Sequence, residues 1–169
     1  DVTKQIATLQ GFGSDAAKQI EAWTDSVDTQ SRLRAQLYMQ SLSPDSIAEI
    51  TPLIEDAPPE LFEPILQLSS RTSDGISVLS AIAKREPFTK VSVRTAILLA
   101  YLGEEFAMEA LLAGGADADR DQAVLLEASS WRGDPQPWRK LLSDHSDPQV
   151  RFHAGIILST YSKEELARS

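Results

Sequence analysis

Apolar residues recur at three and four positions along nearly the whole chain. Ile76, Leu79 and Ala83 form one such series, and Val91, Ala96, Leu99 and Leu102 another. That spacing lays one stripe along a helix of 3.6 residues per turn, whereas strict alternation over a strand length is hard to find. The pattern predicts an all-α protein. Breakers fall between the series at short intervals: Gly11 and Gly13, Pro44, Pro58 and Pro59, Gly75, Pro87, Gly103, Gly114 and Gly115, the segment Gly133 to Pro137, and Pro148. They limit each helix to about 10–14 residues. Start signals agree, because Ser14-Asp15, Ser43-Pro44-Asp45, Ser73-Asp74 and Asp147-Pro148 each set a polar cap or an early proline ahead of an apolar series. Helices are therefore expected near 2–11, 15–25, 30–42, 46–56, 59–70, 74–85, 90–102, 104–113, 120–131, 135–143 and 148–161, with a further element from Lys163. Pro52 and Pro64 fall inside two of them, where a missing backbone donor should bend the helix.

Spacing between helices carries more information than any single helix. Leu37, Leu66, Leu99, Leu126 and Ile157 occupy comparable places in alternate helices, at steps of 29, 33, 27 and 31 residues, a mean of 30. Thirty residues hold two short helices and two tight turns and leave no room for a strand. A lone hairpin buries one face of each helix, and stacked hairpins turn the leftover stripes into a continuous core, so the period predicts an α-solenoid of five to six hairpins.

Two stretches carry a specific resemblance. Asp147-Pro148-Gln149-Val150-Arg151-Phe152-His153-Ala154, followed by Ile157 and Leu158, resembles the D-P-x-V-R-x-x-A opening of a HEAT repeat, in the short form found in phycobilisome-lyase-type HEAT-like proteins. Val93-Arg94-x-Ala96, the Leu102-Gly103 corner, and Ala107, Met108, Ala110, Leu111 and Leu112 resemble the first helix, turn and second helix of the same unit. These stretches, 90–113 and 147–158, cover about a fifth of the chain. The segments at Leu33-Arg34, Leu61-Phe62 and Ala123-Val124 keep the spacing but lack the Asp-Pro and mostly the Val-Arg. The resemblance implies a right-handed superhelix whose second helices line a concave surface for protein contacts. It also brings up a second class of use, a lyase or chaperone acting on bilins or other tetrapyrroles.

Each motif residue also has a local physical reason. Asp147 caps the helix that Pro148 opens, and Arg151 is placed to return to Asp147 or to span to the preceding turn. Ala96, Ala123 and Ala154 are small where hairpins approach, and Gly103 supplies a left-handed corner.

Composition narrows the chemistry. The 169 residues carry 16 Lys plus Arg against 25 Asp plus Glu, a formal charge of -9, so a phosphate-neutralising surface would need strong local segregation and no nucleic-acid partner is expected. Cysteine is absent, which removes disulfides and thiolate chemistry. The longest unbroken apolar run, Ala96 to Leu102, is far short of the roughly 18 residues of a membrane span, so no membrane insertion is expected. The chain opens on Asp1-Val2-Thr3 and reads as an excerpt or a mature product, one repeat domain over 1–169.

Candidate catalytic groups are sparse. His145 and His153, beside Asp144 and Asp147, are the sharpest metal-site reading, but no i, i+4 ligand pair or His-Glu motif connects them. No serine-nucleophile motif is present, and Gly11-Phe12-Gly13 lacks the spacing of a dinucleotide loop. Neither an enzyme nor a bound cofactor is expected. Charge is segregated: residues 35–70 hold Asp45, Glu49, Glu55, Asp56, Glu60 and Glu63 with no Lys or Arg, whereas 71–100 hold five cations against two acids. Such polarity steers a complementary partner or merely solvates outer helix faces. Trp131, Arg132, Trp138 and Arg139, around the turn 131–139, have the composition of interface anchors and are the candidate partner-binding residues; filling the gap between hairpins is the competing role. The sequence-level expectation is a non-enzymatic protein-interaction scaffold.

Overall fold

The computed structural model describes residues 54–85, 89–113 and 118–168 continuously, together with Ser31, Arg34, Gln36, Leu37, Ile47, Ala48 and Thr51. The helices expected at 2–11 and 15–25 lie outside the described residues. Among those described, the fold is all-helical, without strands. A 3-10 turn over Pro59–Leu61 leads into α1 (Phe62–Arg71), followed by α2 (Gly75–Arg85), α3 (Lys90–Tyr101), α4 (Glu105–Leu112), α5 (Ala118–Ser130), α6 (Gln136–Asp144), α7 (Pro148–Ser159) and α8 (Lys163–Arg168). From α2 onward the observed ends fall within about two residues of those expected from the apolar series. The helix expected at 46–56 differs, since Ile47, Ala48, Thr51 and 54–56 lie in bends, turns or a 3-10 step.

Pro64 does not sit in a helix interior. The 3-10 turn ends at Leu61, so Pro64 is the third residue of α1, where a backbone N–H has no intrahelical acceptor in any case. No bend is required of α1.

The chain forms two compact units, Asp1–Leu79 and Ser80–Ser169, with the boundary inside α2. The core of the first unit contains Leu37, Ile47, Ile54, Leu61, Phe62 and Ile65. The Asp74 carboxylate accepts from the Ile47 amide at 3.4 Å. Glu55, Asp56, Glu60 and Glu63 of the acidic stretch are exposed, and Glu60 lies 3.5 Å from Arg34 across a solvated pair. Gly75 opens α2 where a Cβ would stand 2.1 Å from the Ser69 carbonyl oxygen; only glycine lets the chain turn that closely.

In the second unit α3 is the central rod, with every residue from Ser92 to Ala100 buried. Thr89 caps it by accepting from the Ser92 amide at 3.2 Å. At its other end the Glu104 amide returns to the Leu99 carbonyl and the Gly103 amide to that of Ala100, with Gly103 at φ 94°. This is a Schellman ending, and glycine adopts its left-handed corner without steric cost. Helix α3 packs against α4 and α5, and α7 packs against α6, α4 and α5. The α4–α7 contact joins the third and fifth hairpins of the thirty-residue reading directly.

The register of α5 differs from the expected one. Leu126 is 64% exposed, whereas Val124 and Ala128 are buried. Substituting Ala128 gives steps of 29 residues from Leu99 and 29 onward to Ile157, so the inward stripe of α5 is spaced more evenly than its leucines suggest. No helix among the described residues is long and apolar enough to cross a membrane.

Candidate functional site

The tryptophan-arginine turn lies between α5 and α6. Trp131 and Trp138 are both 0% exposed, so these two rings fill the corner and present no face to a partner. Arg94, itself buried, stacks on Trp131 at 4.6 Å from the ring centroid. Its Nε donates to Glu127 Oε2 at 2.8 Å, which compensates a cation withdrawn from water. The Val-Arg pair of α3 thus acts in the core.

Trp138 closes a second network. Its Nε1 donates to the hydroxyls of Tyr101 at 3.0 Å and Tyr161 at 3.1 Å. The Gly133 amide also donates to Tyr101, at 3.1 Å, and the Tyr161 hydroxyl donates to the Gly133 carbonyl at 3.1 Å. The two hydroxyls are 3.3 Å apart. Because Tyr161 spends its proton on Gly133, Tyr101 donates to Tyr161. Burial pushes the Tyr101 hydroxyl far above the ordinary phenol range, reinforced by its tyrosine neighbour, and burial raises Tyr161 as well. Nothing in the sequence marked these tyrosines, which are 60 residues apart.

The arginines of the turn bind the following segment. Arg132 lies over the Tyr161 ring at 3.9 Å, donates to the hydroxyl and carbonyl of Thr160, and approaches Glu165 at 3.8 Å. Arg139 donates to the Leu166 carbonyl of α8. Of the four candidate residues, Trp138 and Arg132 meet at Tyr161, Trp131 packs against Arg94, and Arg139 reaches Leu166. The tryptophans pack the corner, and the arginines tie α8 and the turn before it.

The histidines occupy separate places. His153 is buried on α7 and its Nδ1 donates to the Leu112 carbonyl at the end of α4, at 2.8 Å. His145 Nδ1 accepts from the Asp147 amide at 3.1 Å, which leaves Nε2 carrying the proton 3.5 Å from Glu109 Oε1. Both fasten the α7 segment to α4. Asp147 caps α7 through the Gln149 amide at 2.8 Å. Arg151 spans to the preceding turn, donating to the carbonyls of His145 and Ser146 at 2.7 and 2.9 Å. Among the described residues no group of three or more His, Asp or Glu is placed to hold a metal ion.

Exposed apolar surface lies elsewhere. Between α6 and α7 an open groove of about 450 Å³ is lined by Leu142, Pro148, Phe152 and Ile156, with Arg151 and Ser159 at its edges. Phe152 is 65% and Leu142 42% exposed. Gly155 deepens the groove, since a Cβ there would only touch Leu142, at 3.7 Å. Large apolar side chains grouped on one face bear a solvation cost that a partner relieves. This groove left no mark in the sequence, because the apolar positions that line it continue the same periodic series as the core.

No family model, curated protein or solved structure matches this chain.

Proposed function

We propose that the chain is a non-enzymatic, HEAT-like helical-repeat domain that holds a protein partner, with the α6–α7 groove as its contact surface. The observation that carries this reading is the pair of exposed side chains, Phe152 and Leu142, facing one groove that Arg151 also lines. Aromatic and arginine side chains around an apolar depression are the composition of interface hot spots. Support for the repeat assignment comes from the Asp147-Pro148 opening, the Arg151 return to the preceding turn and the Gly103 corner, each of which performs the local task its motif position requires. In this reading the buried Trp131 and Trp138 hold the corner rigid, and Arg132 and Arg139 keep α8 in place beside the binding face.

The test compares retention of proteins from native lysate by the wild-type chain and by the double variant Leu142→Ser, Phe152→Ser. Both positions are exposed, so the fold should survive, as circular dichroism checks. A protein retained by the wild type and lost by the variant supports the groove; identical retention overturns it. An absorbance titration with a tetrapyrrole provides the other arm. A saturable spectral shift at low micromolar ligand replaces the scaffold reading with a lyase or chaperone.

A further inference from the structure

A second recess lies within the Ser80–Ser169 unit, away from the groove and from the tryptophan corner. Its walls are the end of α2, one face of α3 and one face of α4, and it encloses about 230 Å³. The space exists because alanine stands where helices facing a core usually carry longer chains: Ala83 on α2, Ala96 on α3, and Ala107 and Ala110 on α4 all face it. Its floor is buried, since Ala96, Leu99, Ala107 and Leu111 are each under a tenth exposed. Its rim is open, with Lys84, Phe106 and Ala110 exposed. Such a recess leaves its lining atoms without contacts on one side, and an apolar occupant restores them.

Size and charge define the occupant. A volume of 230 Å³ lies above the roughly 150 Å³ cavity that admits benzene and below the about 300 Å³ at which drug-sized sites begin. It suits a medium-length alkyl chain. Lys84 stands on the rim and makes no ion pair with any described residue. Ser80, one turn earlier on α2, adds a hydroxyl to the same wall. One cation beside an apolar recess matches a single negative charge at the end of an aliphatic chain. A dianionic phosphate would need more positive charge than the rim supplies.

We propose that this recess binds a small amphipathic monocarboxylate, the alkyl chain lying against Ala96, Leu99, Ala107 and Leu111 and the carboxylate paired with Lys84. The site is independent of the α6–α7 groove and of the protein partner proposed for it.

The probe is octanoate, titrated into the full chain and followed by amide chemical shifts and calorimetry. Saturable binding is expected, with the shifted amides clustered at residues 80–84, 92–99 and 106–111. Hexanoate, two methylenes shorter, should bind about 15-fold more weakly, because each buried methylene contributes a factor of about four. Octanol should bind about threefold more weakly than octanoate, and Lys84→Met should erase that difference, as expected for one exposed ion pair. Ala110→Phe fills the recess from an exposed position and should abolish binding with unchanged circular dichroism; if it unfolds the chain, Ala83→Leu serves the same purpose. The proposal is overturned by non-saturable binding, by shifts centred on Leu142 and Phe152, by equal affinity of octanol and octanoate for the wild type, or by undiminished binding to a folded filled-recess variant.

Discussion

Arg94 forms a 2.8 Å ion pair with Glu127 while its guanidinium stacks on the Trp131 ring, linking α3 to the end of α5. Arginine suits this place because its flat guanidinium stacks on the indole while Nε still reaches the carboxylate. The pair joins residues 33 positions apart and is nearly shut off from water on the arginine side.

Truncating one partner of a buried pair leaves the other charge unpaired. Arg94→Ala should therefore cost about 3–5 kcal/mol, measured as a lower urea midpoint. Arg94→Lys keeps the charge but loses the planar stack and should fall between the two. A change below about 0.5 kcal/mol for Arg94→Ala, the range of ordinary surface substitutions, would contradict a core role for this arginine.

The tyrosine pair makes stability depend on alkaline pH. Both hydroxyls are held above their ordinary value of 10.0 in the folded chain, so the folded state keeps protons that the unfolded state releases. Their contribution is complete below about pH 10, the unfolded value, and is lost as pH rises above it. Melting temperature should fall from pH 9 to pH 11, and tyrosinate absorbance should rise in step with unfolding. Tyr101→Phe leaves the Gly133 amide without its acceptor, while Trp138 keeps Tyr161, and should cost about 1–3 kcal/mol while flattening the alkaline slope.

Two glycines predict opposite signs. Gly75→Ala drives a Cβ to 2.1 Å from the Ser69 carbonyl oxygen and should destabilise strongly, because the obstacle is backbone. Gly155→Ala, inside α7, meets only Leu142 Cδ1 at 3.7 Å and should stabilise by about 0.5–1 kcal/mol through helix propensity. Thermal melts of the two variants, compared with the wild type, check both signs.

Helix α8 is tied to α6 and to the turn before α6. Arg139 donates to the Leu166 carbonyl, and Arg132 reaches Thr160 and Glu165. Hydrogen exchange of residues 163–168 in Arg139→Ala should accelerate by at least tenfold, while the α3 amides remain protected. Uniform acceleration across the unit would mean that Arg139 supports the global fold instead.

Much of the helical layout was legible because its causes are local. The Asp147 cap, the Gly103 corner and the ends of α3 and α7 each depend on backbone conformation and on side chains within a few residues. The register of α5 was not legible: a run of Val124, Leu125 and Leu126 offers apolar side chains on more than one face, and only packing selects Val124 and leaves Leu126 to solvent. The candidate site was half legible. Composition located the tryptophan-arginine turn, but the same composition serves a buried corner and an exposed anchor equally well. Which of the two it forms depends on Arg94, Tyr101 and Tyr161, whose partners are 23–60 residues away in sequence.

The sequence by itself determined that the chain is helical, where most of its rods begin and end, and that its surface is acidic, since periodicity, capping and net charge are properties of neighbouring residues or of simple counts. Tertiary structure alone decided that Trp131 and Trp138 are sealed inside, that α4 meets α7, and that a groove and an alanine-lined recess remain open. Those outcomes depend on how distant side-chain volumes fit together, and volume complementarity between remote segments leaves no periodic mark along a chain.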